Sequence, residues 1–208
     1  MTEAHRKLPE WLNVSRETEQ RLGDLCDLVV RWNKAINLIS KASADQIWDR
    51  HMLDSAQTFG LAPPSARRWA DLGSGGGFPG LVVAILALEQ LPDLDLVLVE
   101  SDIRKCVFLR EAIRELKLGA TVLAQRVEDL APLQADVVSA RALAPLSVLC
   151  AYAHRHLTPS GTALFLKGAT SASELAEAAK TWSFAVSEQA SKTDPSAAVL
   201  IMRSFHHV

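Results

Sequence analysis

The chain has 208 residues, 49% of them hydrophobic and 22% charged, which is enough apolar material for a sizeable core and excludes a disordered body. With 22 Lys+Arg against 24 Asp+Glu, the formal net charge is −2. A general basic coat for nucleic acid is therefore excluded, and any contact with RNA has to come from a local patch. Residues 1–62 read as a helical extension. Leu22, Leu25, Val29, Trp32 and Ile36 recur at 3/4 spacing as one stripe of an amphipathic helix. A second helix is expected from about Asp45, with Trp48, Met52, Ala56 and Phe59 on one face. Leu61-Ala62-Pro63-Pro64-Ser65 then breaks the pattern, and residues 63–208 alternate β-runs with helices. The expected strands are Arg68–Leu72, Leu94–Glu100, Ala120–Gln125, Asp136–Ala140, Thr162–Lys167, Phe184–Gln189 and Ala197–Ser204. The expected helices fall at 78–90, 103–117, 145–157 and 171–182. Such alternation predicts an α/β fold with a mostly parallel, seven-stranded sheet covered on both faces. The last two strands lack a helix between them and predict an antiparallel edge.

Other classes drop out on simple grounds. The longest apolar run, Phe78 to Leu88, is far short of the roughly 20 residues of a membrane span. The first residues include acidic ones and no apolar h-region, so no signal peptide is expected. Cys26, Cys106 and Cys150 are widely spaced inside apolar helical stretches, which suits small core residues better than disulfides or a metal site. A soluble protein of a reducing, cytoplasmic compartment is expected, without a metal.

The segment Asp71-Leu72-Gly73-Ser74-Gly75-Gly76-Gly77-Phe78-Pro79-Gly80 lies between the first strand and the first helix of this region. Glycines there allow a sharp turn and close approach of backbone to a ligand, with a helix N-terminus behind. A dinucleotide fingerprint would place its third glycine at position 78, which is Phe78. The GxGxG spacing (Gly73, Gly75, Gly77), with Asp71 two residues ahead, better suits a ligand whose charged part is an amino acid. The second strand ends in Glu100, where a carboxylate can accept both hydroxyls of a ribose. S-adenosylmethionine satisfies both ends. A side chain at Gly75 or Gly77 is expected to intrude on that ligand and leave the fold largely intact.

Several motifs in combination resemble a known family. They are Trp32-Asn33-Lys34 with Asn37-Leu38, Arg50-His51 with Asp54-Ser55, the glycine loop, Arg141-Ala142, and Leu166-Lys167-Gly168. The chain is similar over about Arg31 to Gly168 to the small-subunit (16S) rRNA guanine-N7 methyltransferases, also called glucose-inhibited division protein B. The resemblance implies a Rossmann-like class I S-adenosylmethionine-dependent methyltransferase fold with an N-terminal helical cap. It implies methyl transfer to N7 of a guanine of bacterial 16S rRNA, conventionally position 527. The partner would be the 30S subunit or a late precursor, met by a monomer. The family's cofactor contacts carry over to Gly73, Phe78, Val127, Glu128 and Arg141. Arg141, His51 and Lys167 become candidates for positioning the substrate.

The residues themselves leave alternatives open. Val127-Glu128 after the third strand could hold an adenine edge, or Glu128 could be a surface acid. Arg141, at the end of the fourth strand, could bind the cofactor carboxylate, a guanine or a phosphate, or pair structurally with Asp71 or another carboxylate. For His51, an Arg50–Asp54 ion pair at i,i+4 spacing is the plain account of its surroundings. His154 and His156 sit near a helix end, where the dipole favours imidazolium. No Asn/Asp-Pro-Pro-Tyr/Phe tetrapeptide for an exocyclic amine is present. Guanine N7 has a lone pair and no proton to lose, so it needs no general base. Basic groups that could meet RNA are Arg110, Arg114 and Lys117 on one helix flank, Arg67-Arg68, and Arg31, Lys34 and Lys41. Trp32 and Trp48 look like core, while Phe78 and Pro79 are expected at the lip of the pocket. A small-molecule methyltransferase and a nucleotide-sensing regulator are the rival functions.

Overall fold

A computed structural model describes residues 7–40 and 46–208; the expected helix start at Asp45 and the basic Lys41 lie outside them. Helix α1 (Arg16–Asn33) begins where Ser15 Oγ accepts the Thr18 amide at 3.2 Å, a side-chain cap for one of the free N–H groups of the first turn. Leu22, Leu25 and Val29 are buried on its inner face. The stripe extends to Ile36 but the helix does not. Asn33 Oδ1 accepts the amides of Leu38 and Ile39 at 2.8 and 3.0 Å, which ends the helix and turns the chain. The next segment is a π-helical turn, Trp48–Leu53, running into α2 (Asp54–Phe59). Trp48, Met52, Ala56 and Phe59 are all buried, so the expected face survives the wider winding.

The sheet consists of β1 (Arg68–Leu72), β2 (Asp95–Glu100), β3 (Ala120–Ala124), β4 (Ala135–Arg141), β5 (Leu157–Lys167), β6 (Trp182–Ala190) and β7 (Ala198–His207). Their order is β3-β2-β1-β4-β5-β7-β6. β1 to β5 are parallel, and β7 is antiparallel to both β5 and β6. The crossover helices are α3 (Gly80–Gln90), α4 (Ile103–Leu116), α5 (Leu146–His156) and α6 (Ser171–Ala178). Strand alternation divides the core in two. Trp69, Leu96, Leu98 and Val137 face α1 to α4, and Ala70, Leu72, Val97 and Val138 face α5 and α6. α3 is apolar nearly all round because it is enclosed between the sheet and the N-terminal helices, as such a helix must be. Cys26, Cys106 and Cys150 are buried, and burial pushes the Cys150 thiol up to about 12, which leaves it inert as a nucleophile at neutral pH.

The differences from the expected elements lie mainly toward the C-terminus. The helix expected over 171–182 ends at Ala178. Trp182 already pairs with His207 in the sheet, and the Val208 amide bonds Thr181 O, so the ladder takes those residues. β6 and β7 are longer than expected for the same reason. β5 starts at Leu157 instead of Thr162, because Leu157 pairs with Ala135 across a bulge. No described helix is long and apolar enough to cross a membrane.

Candidate active site

The order of strand addition reverses at β1: β2 and β3 lie on one side, β4 and β5 on the other. In open α/β sheets ligands bind outside the carboxyl ends of the strands at such a point. The glycine loop leaves β1 there. Ser74 N donates to Val99 O at 3.0 Å and Gly77 N to Ser74 O at 2.7 Å, so the loop folds back against the end of β2. Gly75 and Gly77 have φ of +56° and +86°, values that L side chains adopt at a cost. The two glycines differ in what surrounds them. A Cβ on Gly75 would meet only Gly73 O at 3.7 Å, whereas one on Gly77 would lie 2.3 Å from Leu81 Cδ1. Gly75 lines the cleft and Gly77 does not. Gly77 therefore serves the packing of α3 on the loop, which corrects the expectation that both glycines face a ligand.

Asp71, the acid two residues ahead of Gly73, faces inward. It is fully buried, with Oδ1 accepting from Ser139 Oγ at 2.7 Å and Oδ2 from the Gly80 amide at 3.2 Å. Desolvation raises its carboxyl to about 6 against the opposing pull of those bonds. It braces the start of α3 from inside the sheet and lines neither cleft.

The loop forms one wall of a cleft of about 510 Å³, within the usual size for a small-molecule site. Gly73, Phe78, Glu100, Val127, Glu128 and Arg141 all line it, as do Lys105, Gln125 and Tyr152. Glu100 is buried, and its carboxylate accepts from Gly75 N at 2.9 Å, Ser101 N at 2.7 Å and Asp102 N at 2.8 Å. A carboxylate has about four lone-pair positions, so one is left on the oxygen that Gly75 shares. Glu100 can take one hydroxyl as it stands, and a second only by sharing or releasing the Gly75 amide. Glu128 caps the other end. Its carboxylate pairs with Arg126 at 2.6 Å and accepts from Tyr152 Oη at 3.2 Å, which leaves backbone groups of the 3₁₀ turn Val127–Asp129 to meet an adenine.

A second, wider cleft of about 1040 Å³ adjoins the first. The two share Leu38 and the segment Arg141–Ala144, where Ala142 has a φ of +52°, an uncommon conformation for a residue with a Cβ. Arg141 is 19% exposed. It donates to Arg50 O at 3.1 Å and to His51 Nδ1, and lies 3.9 Å from Asp54 Oδ2 and 5.2 Å from the centre of the Phe78 ring. Among the described residues Asp54 pairs with Arg141 and not with Arg50 as expected; the π-helical turn alters the i,i+4 alignment that pair needed. Asp54 Oδ1 also accepts from Gln57, Ser191 and Thr193, tying the loop between β6 and β7 to the cap. Burial and the charges of Arg141 and Arg50 lower His51 to about 3, so it is neutral. Lys167 lies in the same cleft but is engaged by Glu174 at 2.7 Å and Ala144 O at 3.2 Å.

Other expectations resolve simply. Phe78 is buried under Arg141 and against His51 (ring centres 5.1 Å apart), not free at the lip. Trp48 is core, and Trp32 packs edge-on to Phe108. His156 is buried and burial lowers its pKa, outweighing the helix dipole. Among the basic candidates, Arg114 pairs with Glu111, Arg31 with Glu115, Arg67 with Asp93 and Arg68 with Asp95. The residues sequence reasoning missed are Tyr152, Lys105, Thr193 and Asp194. Tyr152 alone carried a signal, being the single tyrosine of the chain.

A switch-point cleft behind a glycine loop, a buried acid closing the next strand and an antiparallel β7 define a class I S-adenosylmethionine-dependent methyltransferase fold. A TehB-like S-adenosylmethionine-dependent methyltransferase from Corynebacterium glutamicum shares this fold, with a TM-score of 0.57 at 16% identity over 88% of this chain and 98% of that one. Residues 18–198 match the family described as rRNA small subunit methyltransferase G. The chain is 53% identical over 208 residues to the ribosomal RNA small subunit methyltransferase G of Cereibacter sphaeroides, covering 100% of each. It is 52% identical over 189 residues to that of Ruegeria pomeroyi, 91% of this chain and 92% of the relative. The chain belongs to the rRNA small subunit methyltransferase G family.

Proposed function

We propose that the protein transfers the methyl group of S-adenosylmethionine to N7 of a guanine in 16S rRNA, at the position conventionally numbered 527. In this reading residues 1–62 form a cap on a methyltransferase domain of residues 63–208. A monomer acts in the cytoplasm on the 30S subunit or a late precursor. The observation that carries the reading is the meeting of a small-molecule cleft and a wider one at a shared wall, Leu38 and Arg141–Ala144.

The residues of the smaller cleft fit the cofactor. The space above Gly75, which a Cβ could enter without collision, suits backbone contact with its amino-acid part. Glu100 would take a ribose hydroxyl, and backbone groups at Val127 and Glu128 the adenine edge. When bound, S-adenosylmethionine supplies an electrophilic methyl on a sulfonium. Its transfer to N7 would exchange the S–C bond for an N7–C bond and would require no group of the protein to take up a proton. The protein's task is alignment, which can supply a large share of the rate in a displacement. The candidates near the wall agree with chemistry that needs no base. His51 is neutral and accepts from Arg141, Lys167 is bound to Glu174, and Asp54 is occupied by Arg141, Gln57, Ser191 and Thr193.

The test is incubation with methyl-labelled S-adenosylmethionine and 30S subunits lacking the modification, followed by digestion to nucleosides. Label in 7-methylguanosine from the expected fragment supports the reading. Label in another nucleoside or only in small metabolites, or binding without turnover, refutes it.

A further inference from the structure

We propose that His51 is a specificity-determining residue whose Nε2–H donates a hydrogen bond to O6 of the target guanine; this rests on the reading that guanine N7 is methylated. The guanidinium of Arg141 has only donors, so its contact with His51 Nδ1 requires that nitrogen to be the acceptor. In a neutral imidazole the proton then sits on Nε2. That nitrogen is buried and has no hydrogen-bond partner, a condition that native structures rarely leave without a reason. His51 lines the wider cleft beside Arg141, and its ring packs on Phe78 of the glycine loop. The fixed donor thus lies close to the wall where the two clefts meet. Of the cations lining that cleft, Arg141 is engaged by Arg50 O, His51 and Asp54, and Lys167 by Ala144 O and Glu174, while Arg50 is exposed.

The chemistry of the base selects the partner. The Hoogsteen edge of guanine carries two neighbouring acceptors, N7 and O6. N7 has to keep its lone pair for the methyl group, which leaves O6 for a protein donor. Adenine presents an amino group at the same place and would set donor against donor. A tautomer locked by Arg141 therefore favours guanine and disfavours adenine with one atom.

The test is a cycle between the side chain and the base atom. The 30S subunits are reconstituted with guanosine or with 2-aminopurine riboside, which keeps N7 and lacks O6, at the target position. For the wild-type enzyme, loss of O6 is expected to lower kcat/KM roughly 10- to 100-fold, the range for one lost hydrogen bond in a buried site. His51→Leu is expected to lose a similar factor on guanosine and almost nothing more on 2-aminopurine. His51→Gln, which keeps a donor, is expected to recover part of the guanosine rate. Both substrates are compared on the same variant, so partial unfolding and the altered nucleophilicity of 2-aminopurine cancel in the cycle. An equal loss on both substrates in His51→Leu would make His51 a packing residue and overturn the inference. So would a wild-type enzyme indifferent to O6 that methylates N7 normally, a result that leaves the proposed function standing. Failure of the wild type to methylate the guanosine subunits would overturn the function and the inference together.

Discussion

Gly75 and Gly77 are two residues apart and both left-handed, yet substitution by alanine should affect different properties. At Gly77 the added methyl meets Leu81 Cδ1 at 2.3 Å and Cγ at 2.6 Å, and Leu81 is fully buried. A left-handed non-glycine residue costs about 1–2 kcal/mol, and forcing a methyl into a packed core adds about 1–3 kcal/mol. Gly77→Ala should therefore destabilise by about 2–5 kcal/mol, which for a chain of this size lowers Tm by roughly 4–20 °C. At Gly75 only the backbone strain applies, about 1–2 kcal/mol, because the nearest atom to the new methyl is 3.7 Å away. Gly75→Val should cost more than tenfold in S-adenosylmethionine affinity by calorimetry, since its side chain enters the cleft. Gly77→Ala should bind normally at temperatures where it is folded. Unchanged affinity in Gly75→Val, or a Gly77→Ala protein as stable as the wild type, would refute this division of roles.

Asp71, raised to about 6 by burial, holds its proton more tightly folded than unfolded. Its contribution is complete below about pH 4 and is lost as pH rises to about 6, about 3 kcal/mol over some two pKa units. His51, lowered to about 3, acts in the opposite sense, its stability being lost as pH falls from about 6.5 to 3. The difference in stability between wild type and Asp71→Asn should therefore change by about 3 kcal/mol between pH 4 and 7 in denaturant titrations; a constant difference would show that Asp71 is not raised. Arg141→Ala should destabilise by about 3 kcal/mol, the cost of leaving a buried partner without its counter-charge. A thermal melt matching the wild type would mean that Asp54 and His51 do not depend on Arg141. The single-turnover methyl-transfer rate should be nearly flat between about pH 6 and 9, because His51 is already neutral there; a steep rise with one deprotonation, abolished in a His51 variant, would restore a general base.

What the sequence disclosed was local. The run from β1 through the glycine loop to Glu100 is legible because strand alternation, a glycine cluster and a terminal acid occupy neighbouring positions, and the structure keeps them neighbours. The antiparallel edge followed from a missing helix between two β-runs. The roles of individual polar residues were less accessible, since they depend on partners far along the chain. His51 and Arg141 are 90 residues apart, and Ser191 reaches Asp54 over 137. Arg50 and Asp54 have helical ion-pair spacing, but the π-helical turn between them is not encoded in any periodicity. Asp71 has the position of a ligand-binding acid, and only the packing of Gly80 and Ser139 around it shows that it faces inward. Burial, not spacing, decided these cases.

The charge of Arg141 shows how a chain of net charge −2 presents a positive wall. A bidentate carboxylate partner at hydrogen-bond distance would neutralise the guanidinium and hold it in place. Arg141 instead has a carbonyl and a neutral imidazole as its close acceptors, and its carboxylate, Asp54, lies 3.9 Å away. Asp54 in turn divides its lone pairs among Gln57, Ser191 and Thr193. The ring of Phe78 supports the guanidinium from one side at 5.2 Å, a contact that attracts a cation without cancelling its charge. Neutral acceptors fix the group's orientation, and the carboxylates of Asp54 and Asp71 offset its field only from a distance. That field acts at the segment the two clefts share, where an anionic group could approach from either side, while Arg114 and Arg31 on the outer helices are matched by Glu111 and Glu115. Local arrangement, not net charge, then determines where an anionic ligand is drawn.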